Sequence, residues 1–187
     1  MKDEKLLAIL RLQKSRAIGD ILAKKLIVNV GDVEQIFKEK SATLQNINGI
    51  GSNVLKHLFD DKNLKAAEQE LNYIKNNNIE YFYFLDDDYP INLQNCIDSP
   101  ILIFKDGNIN LKNDKIISVV GTRNMSSYGR DFCTKIIEDL VQYNPIIVSG
   151  FAYGVDICAH KVAVKNNLQT IAVLAHGFEQ IYPKVHK

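Results

Sequence analysis

From Lys115 onward, three apolar runs alternate with two amphipathic stretches, and this alternation restricts the fold more than any other feature of the 187-residue chain. The runs are KIISVV (115–120), PIIVSG (145–150) and TIAVLA (170–175); between them lie RDFCTKIIEDLVQY (130–143) and DICAHKVAVKN (156–166). Near-continuous apolar runs suit strands buried on both faces. Apolar residues three and four apart suit helices, which predicts Phe132, Ile136, Ile137, Leu140 and Val141 on one side of the first helix. The β-α-β-α-β order makes the strands parallel with right-handed crossovers. The expected fold class is therefore α/β, a parallel sheet with helices on both faces. The strands should end at Val120, Gly150 and Ala175 along one edge, so that the loops GTRNMSSYG, FAYGVD and HGFEQIYP face a single crevice, the usual ligand position in such sheets.

The preceding half reads differently. From Lys5 to Leu58 short helices are predicted (LLAILRL, GDILAKKLIVNV, VEQIFKEK, NVLKHLF), punctuated by Gly19, Gly31 and Gly49. INGIGSNVLKHL (47–58) has an apolar-Gly-apolar-Gly turn before an amphipathic helix, and RAIGDILAKKL (16–26) is a looser copy. Two readings stand: a helix-hairpin-helix whose Gly49 and Gly51 let backbone N–H groups meet a DNA phosphate, or a tight turn between helices. Residues 60–78, rich in Lys, Asn and Glu, read as a solvated connecting helix. IEYFYFL (79–85) turns aromatic and β-branched, favouring a strand, and PILIFKDG (100–107) reads as a buried strand ending at a turn. The expected domains are thus a helical one over 1–65, a linker over 66–78 and a second domain over 79–187. Asp86, Asp87 and Asp88 are consecutive and share no face in regular structure, so they read as a solvated turn.

Composition excludes several classes. The chain is 46% hydrophobic and 24% charged with a formal net charge of +1, values of an ordinary globular protein. Its apolar runs are too short to span a bilayer, the N-terminus lacks a secretory signal, and a cytoplasmic location without membrane partners is expected. Cys96, Cys133 and Cys158 are widely spaced in sequence; they suggest no disulfide framework or metal site and read as reduced core residues. A near-neutral total leaves a local nucleic-acid footprint open.

The predicted loops carry the chemistry. In the first, Gly121 permits a sharp exit from the strand, Ser126 or Ser127 can cap the next helix, Gly129 permits close approach, and Arg123 offers a planar fork suited to phosphate. The loop is neither G-x-G-x-x-G nor a Walker sequence. In the second, Gly150 and Gly154 thin the backbone and Asp156 reads as a helix cap. His160, at i+4 from Asp156, reads as its hydrogen-bond partner rather than a metal ligand. Ser149 lacks the surroundings of a nucleophile elbow, and no catalytic set is found. Tyr128, Tyr153, Phe178 and Tyr182 offer stacking surfaces as a group, although any one of them taken singly reads better as core or rim packing. Positive charge along a backbone track with aromatic faces is the chemistry of single-stranded nucleic acid binding.

Three linked elements resemble the DNA-processing protein A (DprA/Smf) family of bacterial single-stranded-DNA-binding proteins. VVGTRNMSSYG is similar to its G-[ST]-R…S-x-Y-G element, VSGFAYGVDICAH to S-G-x-A-x-G-[IV]-D-x-x-A-H, and IAVLAHGFEQIYP to I-A-V-L-x-x-G-x-x-x-x-Y-P. The resemblance implies a Rossmann-like domain, preceded by a sterile-alpha-motif-like or helix-hairpin-helix domain, that binds single-stranded DNA without catalysis or cofactor. It also implies assistance in loading a strand-exchange recombinase during natural transformation. Arg123 would be a principal phosphate contact; Gly121, Thr122, Ser126, Gly150, Phe151, Tyr153, Gly154 and Lys161 would line the DNA site. Tyr128, Gly129, Asp156, His160, Gly177, Tyr182 and Pro183 would be motif residues of mainly structural role.

Departures from the pattern are also legible. Tyr153 stands where the family commonly has Arg or Lys, with Lys161 or Lys165 as candidates to compensate; Glu179 replaces a usual Asp and His186 a usual Asn. The family's domain continues beyond the position of Lys187, so the sequence reads as truncated, and the homodimer of the full-length family is not implied for it. Two rival readings are a nucleotide-binding enzyme of the nucleoside-monophosphate phosphoribohydrolase type, whose P-G-G-x-G-T-x-x-E element is absent, and a nucleotide-sensing module.

Overall fold

The computed structural model describes residues 2–111 and 115–186, and no side chain is described for Lys2 or for His186, one of the departures above. The chain divides into two compact units, Met1–Gly107 and Asn108–Lys187.

The first unit is built on α1 (Lys2–Lys14), whose Asp3 and Glu4 lie in the first turn and Arg11 and Lys14 in the last, an order that complements the helix dipole. Leu6, Ile9, Leu10 and Leu12 are almost fully buried. Beside it lie α2 (Asp20–Val30), α3 (Val33–Ile36), α4 (Ser41–Gln45) and α5 (Ser52–Leu58). Gly31, at φ 91, ends α2 by donating its N–H to Ile27 O. Asp32 then caps α3 by accepting from Glu34 N, so stop and start signals are adjacent. Helix α6 (Asp61–Asn76) is capped by Asp60.

Helix α6 is no solvated connector. Ala67 and Ile74 are buried in the core of the first unit, Leu71 packs against it, and α6 makes the most extensive helix contact of α1. The charged residues that suggested a linker form its outer face, with Lys14 pairing with Glu70 and Lys75 reaching Asp3 at 2.6 Å.

The hairpin of β1 (Glu80–Tyr83) and β2 (Leu102–Lys105) is antiparallel, Glu80 opposite Lys105 and Tyr83 opposite Leu102. Tyr83, Ile101 and Leu102 belong to the helical core. The division between units consequently falls at Gly107, not within 66–78, and the strands assigned to the second domain belong to the first. Composition alone could not reveal this, because an aromatic hairpin covers helices as readily as it extends a sheet.

Between β1 and β2, α7 (Ile91–Gln94) and its flanking loops are tied down by α2. Asp20 Oδ1 accepts from Ile101 N at 2.9 Å. One turn later, Lys24 Nζ donates to Ser99 Oγ at 2.7 Å, Ile97 O at 3.2 Å and Cys96 O at 3.4 Å. Tyr89, 1% exposed, donates its hydroxyl to Pro100 O at 2.6 Å, and burial raises its pKa. The looser glycine copy, RAIGDILAKKL, is therefore the anchor of this loop. The Gly49 turn packs on the same helix: Lys25 Nζ donates to Asn48 O at 3.2 Å, and a Cβ on Gly49, at φ +100, would stand 3.2 Å from Leu22 Cδ1.

In the second unit β3 (Ile116–Ser118), β4 (Ile146–Ser149) and β5 (Thr170–Ala172) form a parallel sheet in the order β3-β4-β5, with Ser118 opposite Val148 and Val148 opposite Ile171. Crossovers α8 (Ser127–Leu140) and α9 (Val155–Lys165) both run toward β5. Right-handedness puts both on one face, where they pack together. The unit is thus a Rossmann-like α/β sheet of parallel strands with its crossover helices packed together, and Val120 and Val173, just past the ends of β3 and β5, are largely exposed. Cys133, Ile137, Ile147, Ala159, Ala163 and Leu168 form the core. The predicted apolar side of α8 splits: Cys133 and Ile137 face inward, while Phe132 and Ile136, about 100° round the helix, are 55% and 39% exposed.

The cysteines also differ from expectation. Cys96 is exposed, its thiol donating to Asn92 O. Cys133 and Cys158, 25 residues apart by number, meet across the α8–α9 contact, and burial together with the neighbouring thiol pushes Cys133 up to about 11.

Two outcomes follow. Asp20→Ala strands the Ile101 N–H and lowers stability by about 1–2 kcal/mol in chemical denaturation, whereas Asp20→Asn, which keeps an acceptor, loses less. Because the folded pKa of Cys133 is raised, its contribution to stability is complete below the unfolded value near 9 and is lost as pH rises from there toward 11; the denaturation midpoint falls across that window in the wild type and falls less in Cys133→Ala.

Candidate nucleic-acid interface

The loops after β3 and β4 do not splay apart as at a topological switch point; they are locked to each other. Val155 N donates to Thr122 O at 3.1 Å. Gly154 adopts φ +79, and a Cβ there would stand 2.1 Å from Thr122 O and 2.6 Å from Arg123 O. Gly121 is equally constrained from the other side, its hypothetical Cβ lying 2.5 Å from Val155 Cγ2. Glycine at 121 and 154 thus permits one loop to rest on the other. Beneath them Ser149 Oγ donates to Val119 O at 2.6 Å, extending the β3–β4 connection past the ladder.

A second layer fixes the β4–α9 loop. The His160 ring is 7% exposed; its Nε2 lies 2.6 Å from Gly150 O and its Nδ1 2.7 Å from Thr170 Oγ1. A carbonyl only accepts, so Nε2 carries a proton and donates to Gly150. Thr170 Oγ1 also lies 2.8 Å from Ile147 O, so one imidazole joins α9 to the end of β4 and the start of β5. Asp156, 7% exposed, accepts from Ala152 N at 3.4 Å, and its Oδ2 occupies the space a Cβ on Gly150 would need, 2.5 Å away.

Two expectations are corrected here. Asp156 and His160 are not hydrogen-bonded to each other; each reaches back to a different backbone group of the loop. Nor is Asp156 the cap of α9, since Gly154 occupies that position without a side-chain cap; the carboxylate sits in the first turn and braces the incoming chain. Thr170 escaped the sequence reading because a Thr opening a strand carries no signal until its partner is known.

Upon this base lies an exposed shelf. Gly121, Thr122, Arg123, Asn124, Ser126 and Ser127 are all exposed. Thr122 Oγ1 accepts from Asn124 N at 3.1 Å, and Ser126 caps α8 by accepting from Gly129 N at 3.1 Å, as expected of one of the two serines. Arg123 makes no hydrogen bond or ion pair with any described residue, so its five donors face solvent. Phe151 is half-buried and its ring lies 6.1 Å from that of His160; Tyr153 is 46% exposed. Lys161 and Lys165 are exposed on α9, six and ten residues past its start, about 9 and 15 Å along the axis, and so stand away from the loop where Tyr153 replaces a cation. In the third loop Gly177 and Tyr182 are exposed and Pro183 is buried; the Tyr182–Pro183 bond is cis. Gly49 and Gly51 lie in the other unit, and Gly51 has open space around it. Among the described residues no cluster of three His, Cys, Asp or Glu could hold a metal ion, and no helix is long and apolar enough to cross a membrane.

The lock makes a direct prediction. Gly154→Ala forces a Cβ into Thr122 O at positive φ and lowers stability by about 2 kcal/mol or more, while Gly177→Ala, with nothing within 4 Å, stays within about 0.5 kcal/mol; urea denaturation of the two variants compares them.

Comparison with known proteins bears on the same segments. The chain is 41% identical over 106 residues to the DNA processing protein DprA of Streptococcus pneumoniae, covering 57% of this chain and 37% of that protein. It is 28% identical over 172 residues to Protein Smf of Synechocystis sp., covering 90% of this chain and 43% of the relative. The X-ray structure of DNA processing protein A from Streptococcus pneumoniae superposes with a TM-score of 0.71 at 32% identity, over 95% of this chain and 60% of that one. The chain thus spans about two fifths of the length of these curated relatives. The model of the family DNA recombination-mediator protein A matches residues 80–187, more than half of the chain and all of the locked loops, and the chain belongs to that family.

Proposed function

We propose that the shelf formed by the β3–α8 and β4–α9 loops binds single-stranded DNA through its phosphates, without catalysing a reaction. The observation that carries this reading is Arg123: an exposed guanidinium with no partner among the described residues, on a loop held in place by the close approaches at Gly121 and Gly154. An unpaired planar fork beside the start of α8 suits an anion that recurs along a chain. Membership of a family named for DNA recombination mediation makes DNA the natural polyanion. Protection of the strand and assistance in loading a strand-exchange recombinase during transformation complete the proposal, with single-stranded DNA and the recombinase as partners.

A non-enzymatic role agrees with the engagement of the reactive side chains. Ser149 is 3% exposed and committed to Val119 O, both nitrogens of His160 are occupied, and Cys133 holds its proton to about 11. None of the three is available as a nucleophile or base to a ligand on the shelf.

Fluorescence anisotropy of a labelled oligothymidylate, titrated at two salt concentrations, tests the reading. Wild type binds with an affinity that falls as salt rises, because phosphate contacts release counterions. Arg123→Ala binds about ten-fold or more weakly at low salt with a shallower salt slope. Equal affinity of wild type and Arg123→Ala removes the shelf as the DNA site.

A further inference from the structure

An aromatic pair adjoins the shelf and takes no part in the core. Tyr128 and Phe132, one turn apart on α8, stack with ring centroids 6.2 Å apart and planes inclined by 20°, and they are 76% and 55% exposed. Large rings left in water forgo the hydrophobic gain of burial, and the turn of α8 that follows them has an inward face ready for apolar residues, filled by Cys133 and Ile137. We propose that this pair is a platform on which bases of the bound strand stack; the assignment rests on the shelf being the phosphate site.

Three observations favour a nucleic-acid strand as the occupant over a second protein. The pair starts at the second residue of α8, two positions after the Ser126 cap, and Tyr128 is five positions after Arg123, a span of at most about 17 Å. A strand with its phosphates at Arg123 can therefore lay bases on the rings. The near-coplanar stack also presents π-faces to solvent, and every base has a face to match, which suits sequence-tolerant contact. Charge divides along the helix as well: Arg123 and Lys135 flank the pair in sequence, with Arg130 and Asp131 between the two ring positions, whereas the last turn carries Glu138 and Asp139, all exposed. Cations around the pair favour a polyanion there, and the two carboxylates end the track before the last turn of α8 is passed.

The test compares an intact oligothymidylate with an abasic sugar-phosphate strand of equal length, by anisotropy, on the full chain. Wild type binds the intact strand at least five-fold more tightly. Tyr128→Ala and Phe132→Ala each lose about five-fold or more on the intact strand and nothing on the abasic one, Tyr128→Phe keeps wild-type affinity, and circular dichroism shows all three folded. Arg123→Ala weakens both strands, which separates the two claims: if Arg123→Ala binds as wild type while Tyr128→Ala loses the intact strand, the phosphate assignment fails and the stacking contact stands. Equal binding of intact and abasic strands by wild type, or wild-type affinity in both alanine variants, overturns the platform. Concentration-dependent association in sedimentation that Phe132→Ala abolishes, with DNA binding unchanged, overturns it too and gives the stripe to a second copy of the chain.

Discussion

Everything in the second unit turns on one backbone contact, the Val155 N–H donated to Thr122 O over the bare Cα of Gly154. A parallel ladder joins strands but leaves the loops at their carboxyl ends free to move independently. Here the two loops share a hydrogen bond and a close approach that any Cβ would prevent. The β3–α8 loop is consequently held in place while its upper surface, including Arg123, remains in water. A ligand that binds there meets a backbone already in position, and less ordering entropy opposes binding.

The buried polar groups serve the same end. Asp156 and His160 cost free energy to bury unless their hydrogen bonds are made, and each is matched to a backbone group of the β4–α9 loop or to Thr170. Two side chains one helical turn apart thereby hold the loop at two points, Ala152 and Gly150. Such an arrangement specifies loop geometry and leaves the chemistry to the exposed groups above. In the first unit the division of labour is similar: Asp20 and Lys24 use one face of α2 to hold the Cys96–Ile101 loop, and the glycine before that helix starts it without a side-chain cap.

Much of this was legible in the sequence, and the exceptions share a cause. The β-α-β-α-β order and the Ser126 cap follow from local patterns, since strand periodicity and capping act over a few residues. The linked glycine motifs mark the positions of the loops. What the sequence could not convey was which surfaces meet. Residues 60–78 are polar enough to be a linker, yet Ala67, Leu71 and Ile74 form a narrow stripe that α1 covers. IEYFYFL reads as a strand, and nothing local says that it roofs helices. Phe132 and Ile136 satisfy helical spacing as well as Ile137 does, and only the position of the sheet decides that they face water. Asp156 and His160 have the spacing of a pair, but the loop's own unpaired backbone groups were the stronger partners.

The central claim is that a strand of DNA lies on the locked loops, and the most direct measurement of it is amide chemical-shift mapping of the labelled chain with an unlabelled oligothymidylate. The account predicts saturable shifts concentrated at Gly121–Ser126 and Gly150–Gly154, extending along the first turns of α8, with the amides of the first unit little changed. Shifts centred on Gly49–Ser52 with the locked loops silent would contradict it, and would move the DNA to the helical unit.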